Sequence, residues 1–254
     1  MINHRFSCLT TTRHTAGGGQ PGRYLVRRVQ TRVMVRTGRR AAELQALLTQ
    51  AGLAPASVPP APRLADLTSA AVGELDALYT ELGGTQPMPR LRPGAWDLAF
   101  TSGLVVELDE ELHFNRYRAQ TLMAFQTSVL PWHADYLDFC TNHEQQCLAA
   151  GRWGSRWTTR PCEAMFGLPG PTGDLDGAGA PRWKQRALYD SVKDLIATQT
   201  PTVRLARVSV WDRVDGAVLG DALDKNAVVN PERLATFLAQ RTCTAAGLSG
   251  TSGL

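Results

Sequence analysis

The stretch Trp96–Arg118, WDLAFTSGLVVELDEELHFNRYR, decides the fold. Trp96, Leu98 and Phe100 alternate with Ala95, Asp97 and Ala99, and Leu104, Val106 and Leu108 alternate with Val105, Glu107 and Asp109. Period-two alternation of this kind predicts two half-buried strands. Thr101-Ser102-Gly103 suits a three-residue hairpin loop with Gly103 at the left-handed position. Aligning the apolar faces pairs Phe100 with Leu104, Leu98 with Val106 and Trp96 with Leu108. The same register sets Asp97 opposite Glu107, with Asp109 one pleat along. Like charges opposed across a ladder are destabilising. A divalent cation such as Mg²⁺, which takes carboxylate oxygen, accounts for three acids on one face. A solvated polar face whose charges are tolerated is the simpler alternative.

Upstream, Asp66 is expected to begin a helix as its N-cap, running to Leu82 with Leu67, Ala71, Leu75, Leu78 and Leu82 on one stripe and Gly83-Gly84 as its stop. Glu81 is the acid of this helix expected to point at the carboxylate hairpin. Downstream of Asp109, the cluster His113, Arg116 and Arg118, interleaved with Phe114 and Tyr117, suits phosphate contacts and base stacking. The alternative is that the two arginines pair with Glu110 and Glu111.

Pro131 opens a helix expected to reach Ala150. It carries Cys140, His143 and Cys147 at positions that share one face, and with Cys162 they form a candidate zinc set. Against zinc, Leu137 and Ala150 continue the same stripe, and buried cysteine is common in cores. Gly151 to Pro181 is rich in Gly, Pro, Trp and Arg and is expected to be a loop. Arg182 to Thr198 is an amphipathic helix with Gln185 and Tyr189 four apart, and Val203 to Trp211 is a strand. A last helix spans Pro231 to Arg241.

The chain has 254 residues, 43% hydrophobic and 20% charged, enough for a sizeable core. No apolar run approaches the roughly eighteen residues of a membrane span. No secretory signal pattern opens the chain. Five scattered cysteines argue against a disulfide scaffold and for a reducing, cytoplasmic setting. The net charge of +4 is uneven: residues 1–40 hold nine arginines and no acid, and the other 18 basic residues face 23 acidic ones, so residues 41–254 carry −5. Such an arm suits phosphates, or is an extension outside the fold. Residues 23–36 alternate apolar and basic side chains and predict a short strand, and Arg40 to Gln50 predicts a helix. The Pro/Ala-rich segment 54–63 reads as a linker. The expected organisation is therefore a basic arm and linker over 1–63, a compact domain over 64–243 with an insertion near 127–181, and a polar tail over 244–254.

Taken in order, an acidic helix, Asp97, Glu107-Leu108-Asp109, a helix with Gln185-x3-Tyr189 and then a strand resemble the PD-(D/E)XK nuclease superfamily. VVELDEELHFNRYR is similar to its very-short-patch-repair-type branch, and Gln185-x3-Tyr189 to the motif of its RecB-like branch. The resemblance covers residues 66–126 and 182–211. It implies an α/β fold with a mixed, restriction-endonuclease-like sheet flanked by helices, and Mg²⁺ or Mn²⁺ held by Asp97, Glu107 and Asp109. It also implies that Gln185 and Tyr189 orient the site, and that the activity is metal-dependent hydrolysis of DNA. The lysine usual two residues after the Glu is replaced by Asp109. Lys184, or failing it His113, is the expected substitute. The alternative is a nucleic-acid-binding module on an inactive nuclease fold.

Overall fold

The computed structural model describes residues 38–124 and 130–243 together with Ala245. The described residues belong to one compact unit, Thr37–Leu254. The expected strand over residues 23–36, most of the basic arm and the tail beyond Ala245 lie outside the described residues.

The hairpin forms in the predicted register. Strand β1 (Leu98–Ala99) runs antiparallel to β2 (Leu104–Asp109), with Leu98 opposite Val106, and Phe100 N–H donates to the Leu104 carbonyl at 2.9 Å. Gly103 takes φ +79° in the turn, a value that disfavours any side chain. β2 pairs in parallel with β3 (Arg204–Ser209), and β3 pairs antiparallel with β6 (Thr242–Cys243). The result is a four-stranded mixed sheet in the order β1-β2-β3-β6. A separate hairpin of β4 (Arg213–Val214) and β5 (Ala217–Val218) follows β3.

The parallel pairing of β2 and β3 requires a crossover. This chain fills it with helices α3 (Arg116–Ala124), α4 (His133–Asn142), α5 (Glu144–Gly151), α6 (Arg160–Phe166) and α7 (Pro181–Gln199). The span 127–181, expected to be an insertion, belongs to the core where it is described: Trp132, Tyr136, Trp157 and Phe166 are all buried in one cluster with Trp183 of α7. The 54–63 segment is not a boundary either. Ala54 and Ala56 hydrogen-bond along the outer edge of β1, and α1 (Arg39–Gln50) buries Leu44 and Leu48 against the sheet. Helix α2 (Ser69–Glu81) starts later than expected: Thr68, not Asp66, caps it by accepting from Ala71 N–H at 3.3 Å.

Both faces of the sheet are covered. Leu98, Phe100, Leu104, Val106 and Leu108 meet α1, α8 (Leu219–Leu223) and α9 (Pro231–Gln240) on one side. Ala99, Val105 and Leu205 meet α2, α3 and α7 on the other. Every residue of β2 is buried, so the alternation that predicts a solvated face marks a polar face under helices. Trp96 also departs from expectation. Pairing stops at Leu98, the chain bends at Asp97, and Trp96 packs on the α7 side instead of facing Leu108.

That polar face is organised by Arg207 on β3, which is fully buried. Its Nη1 donates to both carboxylate oxygens of Asp109, at 2.9 and 2.7 Å. Its Nε donates to Asp194 Oδ1 at 2.8 Å, and its Nη2 lies 3.3 Å from Asp190 Oδ1. Arg118 on α3 takes the other oxygen of Asp194 at 2.6 Å. The guanidinium thus ties β2 to β3 and both to α7. Removing one partner of a buried ionic cluster leaves uncompensated charge, at about 3–5 kcal/mol. Arg207→Met is therefore expected to lower the urea midpoint by most of the protein's stability, with Arg207→Lys in between; a shift below about 1 kcal/mol contradicts this role. The pH dependence has a definite sign. Neighbouring cations hold the Asp109 and Asp190 carboxyls below their ordinary 3.8, against burial, so their contribution is present above that pH. Urea midpoints are expected to fall as pH drops from about 4 towards 2.

Candidate metal centre

The bend at Asp97 creates the site. Asp97 Oδ2 accepts from Leu108 N–H at 2.9 Å, so the side chain replaces the strand partner that β1 no longer provides. Because N–H and C=O of one strand residue point to the same side, the Leu108 carbonyl is directed past the end of β1 as well. Glu107 lies beside Asp97 with Oε2 at 2.6 Å from Lys193 Nζ. Lys193 also donates to the Ala95 carbonyl at 3.1 Å and lies 5.4 Å from the centroid of the Trp96 ring. Glu107 Oε1 is buried and has no hydrogen-bond partner among the described residues. Burial pushes the Glu107 carboxyl up to about 8, although Lys193 pulls it down, and burial raises Asp97 too. A buried carboxylate oxygen with no donor is costly unless a proton or a cation meets it.

These groups open on a cavity of about 410 Å³ whose wall includes Asp97, Glu107, His113, Arg186, Tyr189 and Lys193. Asp190 and Arg182 also line it. Donors from the bend before β1, from β2 and from α7 therefore converge on one concavity. His113, held by the turn Glu111–His113, places Nδ1 at 2.8 Å from Asp190 Oδ2 and 3.1 Å from Asp109 Oδ1. Asp109, His113 and Asp190 are the one convergent His/Cys/Asp/Glu group among the described residues. Its carboxylates already hold Arg207 and His113, and Tyr136 Oη donates to Asp109 Oδ2 at 2.8 Å.

Of the residues singled out from sequence, Asp97, Glu107, His113 and Tyr189 meet in the cavity. Asp109 lies beneath it, engaged by Arg207 and Tyr136. Glu81 is exposed at the end of α2 and does not line it. Gln185 turns to α6, accepting from Cys162 Sγ at 3.2 Å and donating to Met165 Sδ at 3.2 Å. Lys184 packs over the Tyr117 ring. The residue that reaches Glu107 is Lys193, nine positions later. At about 100° per residue, nine residues is half a turn beyond whole turns, so Lys184 and Lys193 occupy opposite faces of α7. Lys193 follows Tyr189 by one turn, which is the signal that points to it. Arg116 pairs with Glu144 and Asp176, and Arg118 is buried on Asp194. Neither pairs with Glu110 or Glu111, whose partner is Arg40.

The zinc set does not converge among the described residues. The expected single helix breaks at His143, between α4 and α5, so Cys140, His143 and Cys147 share no continuous face. His143 stacks on Trp211 at 4.0 Å, Cys147 accepts from Asn115 Nδ2, and Cys162 bonds Gln185. Burial pushes the Cys140 and Cys147 thiols up to about 12. Both are expected to resist a disulfide reagent at about pH 8 until the protein unfolds. Rapid labelling of either in the native state, mapped by mass spectrometry, contradicts their burial.

A family model described as a family of unknown function (DUF7255) matches residues 77–225, more than half of the chain, from within α2 through β3 and past α8. No curated protein and no solved structure matches the chain. The matched span contains every titratable residue that lines the cavity, from Asp97 and Glu107 to Asp190 and Lys193, and Arg207 beneath it. The chain belongs to the family of unknown function DUF7255.

Proposed function

We propose that this protein is a divalent-cation-dependent phosphodiesterase acting on nucleic acid, with DNA as the expected substrate. The observation that carries the reading is the constellation of Asp97, Glu107 and Lys193 in one cavity, with Glu107 Oε1 buried and unpartnered. The donor set is all oxygen, and hard cations such as Mg²⁺ prefer one or two carboxylates plus carbonyl, water and phosphate oxygen. Asp97, Glu107 and the Leu108 carbonyl would hold the ion. Bound there, it supplies Lewis acidity at a phosphoryl oxygen and lowers the pKa of an attacking water.

The chain's own residues divide the remaining work. Lys193, held beside Glu107, supplies fixed positive charge where negative charge grows on the phosphate. It stands in for the motif lysine that Asp109 replaces, approaching from a helix and not from the strand. With Nδ1 directed at two buried carboxylates, His113 is oriented at the cavity wall as a proton-handling group. Tyr189 borders the same space and helps shape it.

The test is cleavage of linear and plasmid DNA by the purified full chain with Mg²⁺ or Mn²⁺. Asp97→Asn keeps an acceptor for Leu108 N–H and so preserves the fold, but removes a charge from the ion's seat. Activity is expected to fall by a factor of at least about 10² in this variant and in Lys193→Met, with thermal unfolding little changed for the first. Cation-dependent cleavage that survives Asp97→Asn overturns the assignment. DNA binding without cleavage by either protein favours a binding module instead.

A further inference from the structure

Helix α7 is buried almost all round, and this sets its few accessible positions apart. From Pro181 to Ala197 every residue is buried except Arg182, Arg186 and Tyr189. All three line the cavity that holds Asp97 and Glu107. Their spacing of four and then three residues puts them on one stripe, which continues to Lys193. The helix therefore meets the cavity along a ladder of one phenol and three cations, with the buried Asp190 beside them.

Two of those cations have no carboxylate within ion-pair distance among the described residues, although Asp190 acts on Arg186 from farther off. Arg118, Arg207 and Arg241, the other arginines deep in the fold, each lie within 4 Å of a carboxylate. Arg182 and Arg186 form no ion pair among the described residues. Arg182 Nη1 donates to Gln185 Oε1, and Arg186 Nη1 donates to the Leu112 carbonyl at 3.2 Å. Each keeps other N–H groups for a ligand, since a guanidinium carries five. Burial lowers the affinity of Arg186 for its proton, as expected of a guanidinium with too few acceptors. Desolvated, unpaired guanidinium groups at a cavity wall suit an anion with several oxygens, and phosphate is the best geometric match.

We infer that Arg182 and Arg186 form a second phosphate subsite, which binds a phosphate of the substrate chain next to the one at Asp97, Glu107 and Lys193. Arg186 and Lys193 are separated by seven residues, about 10 Å along the helix axis, and Arg182 by about 16 Å. The ladder therefore tracks a strand and does not crowd one phosphate. This rests on the phosphodiesterase reading. It narrows the substrate to polynucleotides with at least two phosphates and sets their direction along α7. The phosphate is either an internal diester or a strand's terminal phosphate, since both present non-bridging anionic oxygens to a guanidinium.

The test is fluorescence anisotropy with a short single-stranded oligodeoxynucleotide, with and without a 5′-phosphate, in EDTA across a salt series. Arg182→Gln/Arg186→Gln is expected to weaken binding by at least about tenfold. Its plot of log affinity against log salt should be shallower by roughly one to two units. Arg182→Lys/Arg186→Lys should recover the slope, which a merely structural role would not. Mn²⁺ affinity, read by electron paramagnetic resonance, should be unchanged in the Gln pair. A loss seen only with the 5′-phosphate assigns the subsite to a strand end; an equal loss on both strands assigns it to an internal diester. Equal affinity and slope in wild type and the Gln pair overturn the inference, including the case in which neither binds. Cleavage untouched by Asp97→Asn sinks the underlying reading instead, so the two failures are distinguishable.

Discussion

The contact on which the rest depends is the buried guanidinium of Arg207 among Asp109, Asp190 and Asp194. Two central parallel strands and the helix that crosses them would otherwise bring three acids into a space without water. Each would be expensive to ionise there. Arg207, with Arg118 on the far oxygen of Asp194, offsets that charge and fixes the rotation of α7 over the sheet. A rotation of one residue, about 100°, would carry Lys193 away from Glu107 and Arg186 away from the cavity.

Compensation below the cavity gives meaning to its absence within it. Asp109 is satisfied by Arg207, His113 and Tyr136. Glu107, one pleat away on the same face, has a lysine on one oxygen and nothing on the other. Neighbouring carboxylates on one strand thus do different work. The first completes a buried ion cluster, and the second keeps one oxygen without a hydrogen-bond partner among the described residues, beside Asp97. The cations show the same split: the arginines inside the fold are paired, and Arg182 and Arg186 on the cavity stripe of α7 form no ion pair among the described residues.

Most of the hairpin was legible because its register follows from the alternation alone: Leu98 faces Val106 as the pattern requires. The apolar periodicity likewise located α1, α7, β3 and α9 to within a residue or two. What the pattern does not carry is burial of a polar face. Glu107, Asp109, Arg207 and Ser209 alternate like residues at a solvated surface, and only the tertiary packing of α7, α3 and α4 covers them. Helix breaks without Gly or Pro, such as the one at His143, leave little local trace, and the two-residue β6 leaves none. At the site, Asp97 and Glu107 came from the strand pattern, whereas the lysine depended on the phase of α7. Proximity in sequence to Gln185 favoured Lys184, but the helical repeat places Lys193 on the stripe shared by Arg182, Arg186 and Tyr189.

The proposed role of the cavity depends on where a divalent cation binds. Crystals of the full chain soaked in Mn²⁺, with data collected at the manganese absorption edge, give that position directly from the anomalous difference map. The expected result is a single strong peak within coordinating distance of Asp97, Glu107 and the Leu108 carbonyl. A peak at Asp109, His113 and Asp190 with none at Glu107, or no ordered ion beside Glu107 at saturating Mn²⁺, contradicts it.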